Sequence, residues 1–326
     1  MGRVQEVSLK PSALDTATPF SEATFAAQWH QRLEEGIRLG GFRALALGAS
    51  GGLDSAVCAA LSMPAAHCAG VPVLAVQMID RRVAGEKYNP DLYERLGAEL
   101  IRVDITAEVQ RREQALRLPP HWWTVFGLNI LARLAPMPLR WTVVCRAKQW
   151  NSNYWIGRHY QRLLVPHRVR KDILQRIARG RQAAVIVCAN RTELELGYFV
   201  EGGIDDATFG QWAPLAQLYK FQVRRLGAFL RLPVSVLQQS PSPGFGGVRD
   251  EHLLGPYPLV DMALIGFHKG LSESALLRVM RDYVRAVDKR RARHWRSFIR
   301  PAYVRYLRCL WQLNASKQRE EKPQAS

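Results

Sequence analysis

Residues 43–63 read RALALGASGGLDSAVCAALSM. A short apolar run, a turn crowded with Gly and Ser, and a second apolar segment follow one another without a break. That order commits the chain to a strand, a tight turn and a helix start. Glycines at such a junction let the main chain approach a bound group closely. The N–H groups then point at it and the helix dipole adds positive potential, which makes an anion site. Ser50 and Ser55 can add hydroxyls. Asp54 is unsuited to touching a phosphate directly, but it can hold a Mg²⁺ that bridges phosphate oxygens. The turn is not a Walker loop, because GxxxxGK[ST] is absent.

The rest of the chain repeats the alternation. SEATFAAQWHQRLEEGIRLGG reads as an amphipathic helix ended by Gly40-Gly41, and SAVCAALSM as a helix stopped by Pro64. VPVLAVQMI is a second strand, NPDLYERLGAEL a helix and IRVDI a third strand. VRKDILQRIARG is a helix that runs into another strand, AAVIVCAN. Strands and helices alternating at this spacing predict an α/β fold with a doubly wound parallel sheet and right-handed crossovers. Residues 1–20 read as loosely ordered.

The formal net charge of +18 points to acidic partners: nucleotides, nucleic acid or an anionic surface. The five cysteines are odd in number and form no CxxC, which argues against a disulfide framework or a tetrahedral zinc site. The N-terminal segment carries acids and lacks the apolar run of a secretory signal. No window is apolar enough to span a bilayer. A cytoplasmic setting is expected.

Two segments break the rhythm. From Gln114 to Lys171 there is no Asp or Glu, against ten Lys/Arg and five of the nine tryptophans. Arg278 to Arg308 carries eleven Lys/Arg against Asp282 and Asp288. The predicted organisation is a nucleotide-binding domain over 20–270, with a Trp-rich basic insertion at 114–165, and a basic helical C-terminal extension over 271–326. The insertion suits either a helical lid or dimer-contact hairpin, or a peripheral membrane contact made together with the basic tail.

SGGLDS after a strand resembles the PP-loop of the ATP pyrophosphatases, whose fold is the Rossmann-like adenine nucleotide α-hydrolase type. Three further stretches, VCANRTELELGYF at 187–199, PLAQLYKFQVRRLGAFLRLP, and SPSPGFGGVRDEHLLGPYPLVD, follow in the order seen in the NAD synthetase family, which the chain resembles over roughly residues 35 to 290 outside the insertion. The resemblance implies that Gly48, Ser50, Gly51, Gly52, Asp54 and Ser55 bind ATP, together with Arg168, Cys188, Lys220 and Ser242. It implies that Asp54 and Glu193 hold Mg²⁺ and that Asp54 and Lys220 are catalytic, Lys220 neutralising phosphate charge. Arg170, Glu201, Asp205 and Asp206 would face the acceptor. Without the resemblance, Glu193 reads equally well as an acid in the first turn of a helix, opposing its dipole.

The implied cofactors are ATP and Mg²⁺. The implied reaction adenylates a carboxylate and aminates it with ammonia, deamido-NAD being the standard acceptor of an ammonia-dependent enzyme that works as a homodimer. Ammonia would come free or from a separate glutaminase. Three departures bear on the acceptor: Cys188 replaces the family's threonine, Glu201 replaces its lysine, and the 200–217 loop is longer. They raise a second reading, a related ligase for another carboxylate. A PP-loop tRNA-modifying enzyme fits the charge but lacks paired CxxC cysteines, and a degenerate nucleotide-binding scaffold sits poorly with the retention of Asp54, Glu193 and Lys220.

Overall fold

The strand predicted before the glycine turn is β1 (Ala44–Gly48), and it occupies an interior position in a four-stranded parallel sheet. The other strands are β2 (Val73–Ile79), β3 (Glu99–Asp104) and β4 (Ala183–Ile186), in the order β3-β2-β1-β4. The registers pair Leu45 with Val73 and with Ala184. β1, β2 and β4 are almost wholly buried, as expected of continuous apolar strands covered on both faces. This computed structural model describes Leu14 and residues 18–83, 90–149, 154–198, 201–240, 248–287 and 289–320.

Helix α1 (Glu22–Gly40) starts at Ser21, whose hydroxyl accepts from the Thr24 N–H, and ends at Gly41 in the left-handed region at φ 62°. It packs with α2 (Leu53–Cys68) on one face of the sheet, around Leu33, Ile37, Val57 and Leu61. The opposite face carries α4 (Thr106–Ala115) and the long α7 (Trp155–Gly180), through Val109, Val165, Val169 and Leu174. The short α3 (Pro90–Arg95) lies between β2 and β3 in sequence.

Helix α2 does not stop at Pro64 but continues one turn to Cys68. A proline removes one N–H and frees the carbonyl four residues earlier, here that of Ala60. Pro64 is exposed and Ala60 only partly buried, so this side of the helix faces water, which can satisfy the freed carbonyl.

The Trp-rich segment forms α5 (His121–Arg133) and α6 (Met137–Gln149), and then enters α7 without a break at residue 165. The C-terminal third does not stand off as a charged appendage. α12 (Tyr257–His268), α13 (Glu273–Ala286) and α15 (Pro301–Glu320) build a second apolar core, to which α6 contributes Trp141, stacked on Tyr306 at 5.6 Å. Tyr303, Val304, Leu307 and Leu310 recur at helical spacing and are buried, while Arg305 is exposed and Arg308 lays its guanidinium over the Phe267 ring at 4.9 Å. Arg162 and Arg82 both bind Glu113 at 2.6 Å, and Arg82 also binds the fully buried Asp80 at 2.6 Å. No helix among the described residues is long and apolar enough to cross a membrane.

Candidate active site

β2 and β4 flank β1 on opposite sides, so the chain leaves β1 at the topological switch point of the sheet, where ligands of open α/β folds bind. The turn there is Ala49–Gly52. Gly51 adopts φ 77°, which a side-chain-bearing residue takes only with strain. At Gly48 the constraint is space: a Cβ would lie 2.6 Å from the Ile204 side chain, because the 201–209 segment packs over the end of β1.

The turn is organised from within. Ser50 Oγ accepts from the Gly52 N–H at 3.2 Å and contacts Ser55 Oγ at 3.0 Å. The fully buried Tyr93 places its hydroxyl 2.9 Å from the Gly51 nitrogen, accepting its N–H, and 2.8 Å from Ser55 Oγ. Sequence reading missed Tyr93; a single tyrosine some forty positions away carries no local signal.

Three of the expected residues converge. Asp54 opens α2, Glu193 lies in the first turn of α8 (Arg191–Leu196), and Lys220 opens α9 (Lys220–Phe229). The buried Lys220 ammonium makes an ion pair with Asp54 Oδ2 and another with Glu193 Oε1, the latter at 3.2 Å. Asn190 ties the two acidic helix starts together. Its side chain accepts from the Glu193 N–H at 3.1 Å and donates to Asp54 Oδ1 at 3.3 Å. Glu193 Oε2 in turn accepts from the Asn190 N–H at 3.4 Å, which closes a capping box. Glu193 is therefore both a helix-capping acid and a member of the charged cluster.

Burial pushes the Glu193 carboxyl up to about 8, with Asp54, Asp205 and Asp250 adding to the rise and Lys220 opposing it. Burial also works against the charge on Lys220, but Asp54 and Glu193 together outweigh it, and the ammonium is held more firmly than usual. The cluster rests on a second layer. Asp261 accepts from Thr192 Oγ1 at 2.6 Å and from the Phe221 N–H at 3.0 Å, and burial raises its carboxyl to about 7. Tyr257 donates to Asp250 at 2.8 Å, and its ring lies 5.2 Å from Lys220 Nζ. Asp250, Tyr257 and Asp261 all lie in the stretch that continues DEHLLG, so a signal for them was present in the sequence.

The other expected residues surround this cluster or lie further off, with Asp205 close enough to raise the Glu193 carboxyl. Cys188 is half-buried at the end of β4, with Sγ 3.9 Å from the Ile186 carbonyl, and it adjoins the buried Cys58 thiol, whose proton is held tightly mainly because of burial. Arg168 donates to Gln161 at 3.1 Å, and Arg170 is half-buried on the same helix, α7. Asp205 lies 3.8 Å from His167, and Asp206 accepts from the Thr208 N–H and hydroxyl at 3.0 and 2.6 Å. Glu201 pairs with Lys317 of α15 at 2.8 Å, a partner supplied from far along the chain. Ser242 lies outside the described residues.

Two carboxylates from separate helix starts, both drawn to one cation, form a hard-oxygen donor set suited to Mg²⁺. Beside them lie a lysine and a glycine turn with its hydroxyls. The arrangement can hold a metal-bound polyphosphate and neutralise charge on a departing pyrophosphate.

The sequence family described as NAD synthase matches residues 160–297. An NH(3)-dependent NAD(+) synthetase of Mannheimia succiniciproducens is 30% identical over 272 residues, which cover 82% of this chain and 92% of that one. Its counterpart from Thermotoga neapolitana is 31% identical over 228 residues, covering 67% of this chain and 75% of that one. Among solved structures, the NMN synthetase of Francisella tularensis shares the fold at a TM-score of 0.57 and 23% identity, over 82% of this chain and 94% of that one. With the strand–turn–helix and the later blocks in the same order, these matches settle the family: the chain belongs to the NAD synthetases, carbon–nitrogen ligases that form AMP.

Proposed function

We propose that the chain converts deamido-NAD to NAD with ATP and ammonia. The observation that carries the reading is the meeting of Asp54, Glu193 and Lys220 at the end of the glycine turn. In this reading the turn and the Ser50 and Ser55 hydroxyls receive the ATP phosphates. Asp54 and Glu193 would hold Mg²⁺, which would offset phosphate charge. An acceptor carboxylate oxygen attacks the α-phosphorus, and the bond to the β-phosphate bridging oxygen breaks. Pyrophosphate leaves beside Lys220, and an acyl adenylate remains. Ammonia then attacks the acyl carbon, loses a proton, and displaces AMP to give the amide.

The Glu201–Lys317 pair supports the dinucleotide acceptor. A carboxylate where the resembled family has a lysine would repel an anionic pyrophosphate, and at an effective dielectric of about 20 one unpaired charge at 4 Å is worth roughly 4 kcal/mol. Lys317 neutralises Glu201 from another helix and so removes that repulsion. A homodimer with an isologous interface is expected on the family pattern. The test is amidation of deamido-NAD in a panel that also contains the mononucleotide acid, simpler aryl and alkyl acids, and tRNA. AMP-forming turnover on another member, without deamido-NAD turnover, would replace the acceptor and leave the adenylation chemistry in place.

A further inference from the structure

Helices α5, α6 and α7 enclose an apolar cavity of about 280 Å³, lined by Trp123, Leu128, Leu131, Val144, Ile156 and Leu163 among others. With a water's share of volume near 30 Å³, it has room for roughly ten non-hydrogen atoms. Trp123 and Trp155 line it, and Trp122 and Phe126 stand near Trp123 on α5. Trp122, Trp123, Phe126 and Trp155 are all more than half exposed, at 67%, 52%, 61% and 66%. Exposed apolar area of this kind marks a contact site.

Three further observations say what enters. Gly127 stands in the middle of α5 at the cavity, and a Cβ added there would meet nothing within 4 Å. A glycine inside a helix costs about 1 kcal/mol relative to alanine, and here no close packing requires it. Its effect is to leave the cavity open. His159 lines the same space with Nδ1 2.8 Å from Thr124 Oγ1, while its buried Nε2 has no partner among the described residues. Finally, Lys148 lines the cavity while no acid does, and the Arg158 and Arg162 guanidiniums lie close enough to His159 to lower its proton affinity alongside burial, so an anionic head is favoured beside His159.

We propose that this cavity binds the aliphatic chain of an anionic amphiphile of about ten carbons, a medium-chain carboxylate or one chain of an anionic lipid, entering past Trp123 and Trp155, with its head within reach of His159. The cavity reaches the second layer of the charged cluster through Tyr198, which hydrogen-bonds Asp250, but Asp54, Glu193 and Lys220 do not line it, and the proposal does not depend on the identity of the amidated acceptor.

The test uses the full chain with two brominated probes, decanoate in free solution and phosphatidylglycerol in vesicles, and reads saturable quenching of tryptophan fluorescence. Quenching by decanoate alone assigns a soluble ligand, and quenching by the vesicles assigns a lipid; either supports the site. Gly127→Trp, which narrows the mouth, and Ala147→Leu, which fills the interior, should each weaken binding at least tenfold. Both should keep the wild-type circular dichroism spectrum and ATP-dependent pyrophosphate release. His159→Phe should weaken decanoate about tenfold while leaving decanol binding unchanged. No saturable quenching by either probe, or wild-type affinity in both folded cavity variants, overturns the proposal.

Discussion

Lys317 Nζ lies 2.8 Å from Glu201 Oε1, joining the last helix to the segment that packs over the end of β1. The side chains are 38% and 24% exposed, so the pair is worth at most about 1 kcal/mol. If it restores charge balance for an anionic acceptor, Lys317→Met raises KM for deamido-NAD about fivefold with kcat unchanged, since 1.4 kcal/mol corresponds to tenfold. The double variant with Glu201→Gln returns KM toward wild type. An unchanged KM in Lys317→Met would show that Glu201 faces away from the acceptor.

Asp54→Asn and Glu193→Gln should each lower pyrophosphate release by at least roughly a hundredfold, the cost typical of removing one electrostatic contact from a transition state. Both side chains are only partly buried and sit at helix starts, so the fold should survive, with circular dichroism as the check. Near-normal turnover in either variant would remove that residue from the metal site.

Tyr93→Phe removes one hydroxyl that engages both Gly51 and Ser55. Stability should fall by about 1–2 kcal/mol in chemical denaturation, and KM for ATP should rise severalfold as the turn loses its internal support. A loss of stability without a change in KM would make Tyr93 a core residue only.

Lys148 is buried, and its ammonium donates to the Leu196 and Gly197 carbonyls at 2.5 and 2.6 Å. Burial lowers its proton affinity to about 8, against an ordinary value of 10.5. Below pH 8 the group is charged in folded and unfolded chains alike, and the folded state bears the full penalty. Between about 8 and 10.5 the folded chain sheds the proton first, and the neutral amine keeps N–H groups for both carbonyls. Stability relative to Lys148→Met should therefore rise with pH across that window, by on the order of 3 kcal/mol. A stability difference that stays flat from pH 7 to 11 would contradict this.

Local chemistry made much of this molecule readable. The glycine turn, the two acids at helix starts and Lys220 are each announced by neighbours within a few residues. The helix was expected to stop at Pro64, yet it runs on to Cys68, with Pro64 exposed and Ala60 only partly buried, so that water can take the freed carbonyl. The C-terminal region read as a basic extension because its arginines outnumber its acids. The buried stripe of Tyr303, Val304, Leu307 and Leu310 was present at helical spacing but masked by that count. Tyr93 and Lys317 act across long sequence separations, which no local pattern encodes.

The central claim is tested most directly by product stoichiometry. Incubated with deamido-NAD, ATP, Mg²⁺ and ammonium, the wild-type chain should form NAD, AMP and pyrophosphate in equal amounts, with none of the three when ATP is omitted. Pyrophosphate and AMP released without NAD, or NAD formed with ADP and phosphate instead, would contradict the account.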